Sequence, residues 1–331
     1  MKALVYERAH PIEDFAVELA EVAEPAVRAN DVLVEVRAIG INPGEAFMRR
    51  TRSAEPGGRV LLGLEFAGVV LARGDEVRGF DVGDRVFGTG DPTRDGGWAE
   101  RLAVDHRVIA KVPDSLALDD AASLPIGTLT AYEALFRDQD ALPAGVGRVL
   151  VLGGAGGVGS MATQLLKSLT GAFVISTASR ADSKEWCTSM GADLVVDHAA
   201  DVPAQLSASG IDQVDMVLST ARTAENIGWI GGLLRPFGHL ATVDGVSSLD
   251  AGVLAGKSIS LHTEMVFSRI IHASAPQIQG QILASVADLA AAGRIRPIVT
   301  RRLAGLTSET MRTAHGLIET GRTTGKIVIA V

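Results

Sequence analysis

The sequence has a single cysteine, Cys187, among its 331 residues. That excludes an internal disulfide and any zinc site built from several cysteines. Cys187 falls in a predicted helix, where it reads as buried filler rather than as a reactive thiol. Dense basic runs are missing as well. The formal net charge is −8, which argues against nucleic acid or an anionic membrane as the main partner. No uninterrupted apolar run approaches the ~20 residues of a spanning helix. The opening residues, MKALVYERAHP, put Glu7 and Arg8 where a signal peptide needs its apolar segment, so the expected location is cytoplasmic. What is present is hydrophobic residue in quantity, 47%, enough for real cores. The length suits two domains of roughly 100–200 residues each.

The organising stretch is 148–170, RVLVLGGAGGVGSMATQLLKSLT. Val149, Leu150, Val151 and Leu152 form an apolar run without alternation, as in a parallel strand covered on both faces. Gly154, Gly156 and Gly159 then spell G-x-G-x-x-G. The first is expected to permit the tight turn, the second to let backbone approach a pyrophosphate, and the third to let the helix sit close. Ala155, Gly157 and Val158 complete the turn, and the helix start offers unpaired N–H groups to an anion. The strand before and helix after raise this above a bare glycine loop and predict a dinucleotide site.

Residues 1–120 read as β-rich. The segment 31–38 (DVLVEVRA) alternates Val32, Val34 and Val36 with Glu35 and Arg37, as a half-buried strand does. Further strands fit 4–5, 68–71, 85–87 and 107–111, with turn signals at Pro56-Gly57-Gly58 and Asp91-Pro92. This pattern predicts a compact barrel or sandwich. Residues 116–142 read as two helical pieces, with Pro125-Ile126-Gly127 as the break. From 148 the chain alternates, with strands at 148–152, 172–178, 194–197, 214–219, 239–243 and 258–266. That predicts an α/β doubly wound parallel sheet in the order 3-2-1-4-5-6. Helices fit 277–292 and 309–319, and the last strand, 325–331 (GKIVIAV), would most naturally rejoin the first domain. The expected domains are 1–120 with 268–331, and 121–267.

Taken together, MKALVYERAHP, IGINPGEAF, GLEFAGVVLARGDEVRGFDVGDRVFG, GGWAERLAV, LPIGTLTAYEAL, GGAGGVG, FSRIIHASAPQIQGQI and AHGLIETGRTTGKIVI carry a resemblance. The chain resembles the medium-chain dehydrogenase/reductase superfamily. It is similar there to the zinc-free quinone oxidoreductase branch, and especially to bacterial zinc-type alcohol dehydrogenase-like proteins. The resemblance implies a GroES-like catalytic domain from both termini, a Rossmann domain between, an active-site cleft where they meet, and a homodimer joined through the sixth strands.

Counting about 20 residues from the glycines, where an NAD site places an acid on the ribose, lands on Ser179, with Arg180 beside it. A guanidinium next to a hydroxyl suits a 2′-phosphate. Lys184 could add charge, and the resemblance places His198 near the same phosphate. NADPH is the expected cofactor, with Asp182 as a competitor for Arg180. The ends of the fourth and fifth strands, Ser219-Thr220 and Thr242-Val243, face the ligand crevice in such sheets.

Zinc-dependent relatives use a cysteine, then Gly-His-Glu. Here Gly40-Ile41-Asn42-Pro43 has no cysteine, and Gly63-Leu64-Glu65 has leucine for histidine, so no metal is expected. Without that Lewis acid a quinone or activated alkene is the easier acceptor, and the zinc-free relatives reduce such substrates. The resemblance puts Asn42 near the nicotinamide, as a donor to the cofactor or to a developing enolate. It puts Thr130 near the nicotinamide ribose or carboxamide, and makes Lys326 either cofactor-facing or solvated. Tyr132 is either a proton donor or a core aromatic. Phe267, at the end of the sixth strand, either covers the nicotinamide or simply packs. Phe47 stands where several quinone reductases have tyrosine. Arg49, Arg50 and Arg52 read as a solvated cationic loop or as a greeting for an acidic substrate. Segments 47–58 and 89–98 are expected on the substrate side. The competing functions are a metal-free alcohol or aldehyde oxidoreductase and a non-catalytic NADPH-binding protein.

Overall fold

The computed structural model describes residues 1–137, 141–245 and 247–331. Along the chain its elements are β1 (Lys2–Val5), β2 (Glu18–Glu21), β3 (Asp31–Ile41), α1 (Pro43–Thr51), β4 (Glu65–Arg73), β5 (Arg85–Thr89), β6 (Arg101–Asp105), β7 (Ile109–Lys111), α2 (Leu118–Ala121) and α3 (Pro125–Phe136). Next come β8 (Arg148–Leu152), α4 (Gly157–Leu169), β9 (Phe173–Thr177), α5 (Ala181–Ser189), β10 (Leu194–Val196), α6 (Val202–Ala208), β11 (Val214–Ser219), α7 (Thr223–Leu233), β12 (Leu234–Thr242), α8 (Gly252–Ala255) and β13 (Ser260–Thr263). The chain closes with α9 (Ser268–Ile271), α10 (Gln277–Ala291), β14 (Val299–Ala304), α11 (Ser308–Glu319) and β15 (Lys326–Ala330). Contacts divide it into two units, Met1–Ile126 with Phe267–Val331, and Gly127–Val266.

The first unit is built on β3. Its valines, Val32, Val34 and Val36, are buried while Arg37 is exposed, and from Ala38 to Ile41 every residue is buried. Such a strand can pair on both sides and pack on both faces. It pairs antiparallel with β4, β6 and β15, in a sheet whose path is β14-β15-β3-β4-β5-β7. The C-terminal strand therefore does rejoin the N-terminal half of the chain, in the register Ile327↔Ile41 and Ile329↔Ile39. The apolar cluster under this sheet includes Leu4, Tyr6, Val34, Ile39, Phe66, Trp98 and Ile109, joined by Met311 and Ala314 of α11.

The second unit is a six-stranded sheet in the order β10-β9-β8-β11-β12-β13. Every pairing in it is parallel, so the expected 3-2-1-4-5-6 order and Rossmann-type winding are present. Val149, Leu150 and Val151 are fully buried, as helices on both faces require. Cys187 is buried on α5, where burial pushes its thiol up to about 12.

Several local expectations need correction. Pro125 does not break the helix but opens α3, because a first-turn proline lacks an N–H that would be unpaired anyway. Residues 138–140 of the expected 116–142 helical stretch lie outside the described residues. The sixth strand is only Ser260–Thr263. Ser258 stands in the left-handed region at φ 54°, which no extended strand accommodates. Residues 47–51 of the expected substrate-side segment 47–58 belong to the helix α1, which has Asn42 at its N-cap and Pro43 in its first turn. No helix among the described residues is long and apolar enough to cross a membrane.

Candidate active site

In the second unit the glycine turn links β8 to α4. The left-handed residue is Gly153, at φ 80°, one position before the first glycine of the motif. Gly154 is needed for space instead, since a Cβ there would stand 2.7 Å from the Ser176 Cβ. Gly159 is equally confined: its Cβ would meet the Gly153 carbonyl oxygen at 2.4 Å. Gly156, the N-cap of α4, differs. Its Cβ would find only the Gly153 oxygen, at 3.6 Å. Nothing in the protein requires glycine there, whereas a ligand lying against the turn would. Gly157 and Val158 begin the helix and present first-turn amides with no partner of their own.

Beyond the turn, Thr177 at the end of β9 accepts from the Gly153 amide at 3.0 Å, and its hydroxyl lies 3.1 Å from His198 Nδ1. His198 is thereby tied to the ends of β9 and β10, which are neighbours in the sheet. Ser179 and Arg180 follow β9, half-buried. The Arg180 Nε lies 3.3 Å from the exposed Asp182 carboxylate, so the anticipated competitor does engage it. Lys184 Nζ lies 2.9 Å from Asp197, and this hydrogen bond holds the Asp197 carboxyl below its usual range. Two cations and two anions thus balance at this edge. Both pairs are partly exposed, where ion pairs are weak.

At the ends of β11 and β12 the hydroxyls turn inward. Thr223 Oγ1 donates to Asp244 Oδ1 and lies 2.7 Å from Ser219 Oγ and 2.8 Å from Thr242 Oγ1, while Thr242 Oγ1 donates to the same Asp244 oxygen at 2.5 Å. The Thr223 amide donates to the other Asp244 oxygen at 2.9 Å. Burial alone would raise the Asp244 carboxyl, but these hydrogen bonds outweigh it and hold it low. Thr220 Oγ1 donates to the Leu152 carbonyl at 2.8 Å. Ser219, Thr220 and Thr242 are therefore internal braces. What they leave for a ligand is backbone, including that of Val243, whose amide donates to the Ser219 carbonyl at 3.2 Å. Sequence reading missed Thr223 and Asp244. Their signal is a Thr-x-Asp leaving one strand beside a Ser-Thr leaving the next. In α3, Thr130 is buried, and the Tyr132 ring packs on Phe136 at 4.8 Å between centroids.

The first unit holds a buried polar cluster. Asn42, Glu45, Glu65 and Lys326 are each at most 6% exposed. The β15 register places Lys326 one step beyond the Ile327↔Ile41 pair, beside Asn42. Its ammonium lies 2.9 Å from Glu65 Oε2 and donates to Asn42 Oδ1 at 2.6 Å. Lys326 is thus buried rather than solvated, with its ammonium paired to Glu65 and Asn42. Asn42 Nδ2 donates to the same Glu65 oxygen at 2.9 Å, and the Ile126 amide donates to the other at 2.8 Å. Gly40 makes room for this carboxylate, since a Cβ there would lie 2.4 Å from Glu65 Oε2. Glu45 accepts from the Asn42 amide and the Leu64 amide, both at 2.9 Å. Burial pushes its carboxyl up to about 7, with the Glu65 charge adding to the rise.

Two other expectations change. The sixth strand ends before Phe267, which caps the short α9 instead. Of the arginine trio, Arg50 and Arg52 are exposed as a solvated cluster would be, but Arg49 is not. Arg49 is fully buried on α1, donates to His315 Nδ1 at 3.2 Å and to the His10 carbonyl at 2.9 Å, and pairs with Glu319. Arg52 donates to the Pro92 carbonyl at 2.8 Å. Phe47 is exposed.

Comparison with known proteins agrees with this architecture. A family model described as an alcohol dehydrogenase GroES-like domain matches residues 28–114, and one described as a zinc-binding dehydrogenase matches residues 190–329. A zinc-type alcohol dehydrogenase-like protein of Staphylococcus aureus is 34% identical over 338 residues, covering 100% of both chains. The 2-methylene-furan-3-one reductase of Solanum lycopersicum is 28% identical over 341 residues, covering 99% of this chain and 79% of that one. Among solved structures, a Rhizobium etli protein provisionally assigned to the zinc-dependent alcohol dehydrogenases superposes with a TM-score of 0.96 at 36% identity, covering 100% of this chain and 98% of that one. The quinone oxidoreductase of Coxiella burnetii superposes with a TM-score of 0.83 at 27% identity, covering 100% and 99%. The chain belongs to the medium-chain dehydrogenase/reductase superfamily of oxidoreductases, in its quinone-oxidoreductase-like branch.

Proposed function

We propose that this oxidoreductase uses NADPH to reduce a quinone or the C=C bond of an α,β-unsaturated carbonyl, without a metal. The observation that carries the reading is the state of Glu65. In zinc-dependent relatives the matching Gly-His-Glu supplies metal ligands; here its carboxylate is already held by Lys326, Asn42 and the Ile126 amide. Among the described residues, no group of three or more His, Cys, Asp or Glu side chains could hold a metal ion. The donor set does not fit catalytic zinc, which needs about three protein ligands, despite the name of the matching family model.

The strand, glycine turn and helix support a dinucleotide site, with open space beside Gly156 for a ligand to approach the backbone. In this reading α4's first amides hold the pyrophosphate, Arg180, Lys184 and His198 hold the 2′-phosphate, and Thr130 serves the nicotinamide ribose. Bound NADPH supplies a hydride. The resemblance to a quinone oxidoreductase and to a furanone reductase supports the acceptor class, because a conjugated carbonyl already accepts the charge that hydride transfer delivers. A second copy pairing along β13 is part of the proposal, since an uncovered edge strand is a liability; a monomer by light scattering would remove it.

NADPH oxidation followed in steady state with quinone, enone and aldehyde panels tests the function. Turnover of quinones or enones is expected. Turnover of aldehydes alone would favour the alcohol-dehydrogenase-like reading, and tight NADPH binding without turnover on any panel would overturn the proposal in favour of a non-catalytic protein.

A further inference from the structure

One buried hydroxyl of the second unit serves two parts of the dinucleotide site. Thr177 ends β9 and is fully buried. Its Oγ1 accepts from the Gly153 amide at 3.0 Å, and its carbonyl accepts from the Gly154 amide at 3.0 Å. The left-handed entry to the glycine turn is therefore pinned to the strand that pairs with β8. The same Oγ1 lies 3.1 Å from His198 Nδ1. A threonine hydroxyl has one proton and two lone pairs, and Gly153 takes one of the lone pairs. If His198 Nδ1 donated to the other, the hydroxyl proton would be left without an acceptor among the described residues, a costly state for a buried group. The satisfied arrangement has Thr177 donating to Nδ1. A neutral imidazole that accepts at Nδ1 carries its proton on Nε2. His198 is exposed, and its Nε2 has no partner among the described residues.

We infer that Thr177 is a positioning residue for cofactor specificity: its hydroxyl fixes His198 as the Nε2–H tautomer, a donor offered to the adenosine 2′-phosphate, while it holds the turn that meets the pyrophosphate. This rests on the NADPH reading above. A fixed N–H adds something the cations of this edge do not. Arg180 and Lys184 already face Asp182 and Asp197, whereas His198 Nε2–H is an uncommitted, directional donor, and hydrogen bonds to a charged acceptor are the stronger kind. The β-branched side chain of Thr177 restricts χ1, so the strand backbone places the hydroxyl. Because one oxygen bonds both Gly153 and His198, the contacts to the two phosphate groups are held in a set spacing. NADH, which has no 2′-phosphate, uses only the first of them.

The test measures NADPH and NADH Kd by cofactor fluorescence in Thr177→Val, Thr177→Ser, His198→Phe and the double variant Thr177→Val/His198→Phe. Thr177→Val should weaken NADH about 3-fold, through the turn, and NADPH about 30-fold, the excess being a lost hydrogen bond to a charged group. In the His198→Phe background the same change should weaken both cofactors by the same factor, about 3-fold, because the coupled partner is gone. Thr177→Ser keeps the hydroxyl and should stay within about 3-fold of wild type for both. A readout free of cofactor is the pair of His198 imidazole nitrogen shifts by NMR at about pH 8.5, where an ordinary imidazole is neutral; the signals are assigned by their absence in His198→Phe. Wild type and Thr177→Ser should show a protonated Nε2 and a bare Nδ1, and Thr177→Val a mixture of tautomers. If Thr177→Val fails to fold, the wild-type tautomer and a loss of about 10-fold in His198→Phe confined to NADPH carry the test. An Nδ1–H tautomer in wild type, an unchanged NADPH Kd in His198→Phe, or equal losses of both cofactors in Thr177→Val would overturn the inference. If wild type shows the Nε2–H tautomer yet binds NADH as tightly as NADPH, the NADPH reading falls and the placement of His198 by Thr177 stands.

Discussion

Acidification should unlock the first unit through His315. This imidazole is fully buried on α11, between Phe15 and Trp98, whose ring centroids lie 6.0 and 5.1 Å away. Its Nδ1 accepts from Arg49 Nε at 3.2 Å, so protonation would both break that bond and place a second cation against a buried guanidinium. Burial first, then the charges of Arg49, His10 and Arg50, push its pKa down to about 3 from 6.5. A pKa lower in the folded than in the unfolded chain means that the unfolded chain binds the extra proton. The contribution to stability is therefore complete above about pH 6.5 and drains away as pH falls toward 3. At about 1.4 kcal/mol per pKa unit, the full loss is about 5 kcal/mol, of which about 3 kcal/mol is gone by pH 4. Urea unfolding at pH 7 and pH 4, followed by fluorescence in a Trp186→Phe/Trp229→Phe background that leaves Trp98, would measure it. In His315→Gln, whose side-chain oxygen can still accept from Arg49, the difference between the two pH values should shrink by about 3 kcal/mol. The same pH slope in both proteins would refute the reasoning.

Within the glycine turn, Gly159→Ala should cost about 1–3 kcal/mol of stability by forcing a Cβ against backbone. Gly156→Ala should cost no more than about 1 kcal/mol, the difference between glycine and alanine at an N-cap, yet weaken dinucleotide binding more than it weakens the fold. Thermal melting beside a fluorescence titration separates the two. Arg180→Ala should lower NADPH affinity about 10-fold or more, as loss of a charge-assisted hydrogen bond does, and leave NADH affinity unchanged; equal losses for both cofactors would sink the 2′-phosphate assignment. Thr223→Val removes hydrogen bonds to Asp244 and should cost about 1–3 kcal/mol in urea unfolding of the second unit.

Local patterns carried much of the fold. The alternation of Val32, Val34 and Val36 declared β3, and the unbroken apolar run of β8 with its glycines declared a parallel strand feeding a helix. Short strands such as β2 (ELAE) and β14 (VTRRLA) carried no such pattern. Their pairing comes from neighbours, and propensity alone does not reveal it.

By itself the sequence determined the strand–turn–helix of the nucleotide unit, the order of its sheet, the missing cysteine and histidine ligands, and the return of the last strand to the first domain. These follow from periodicity and residue type, which act over a few residues. Tertiary structure alone decided that Lys326 meets Asn42 and Glu65, that Arg49 is buried against His315 and Glu319, and that the hydroxyls of Thr223 and Thr242 meet Asp244. Sheet register and helix docking set those meetings between residues far apart in the chain. A charge that looks solvated in a string of letters becomes a buried partner only when register leaves it no water to face.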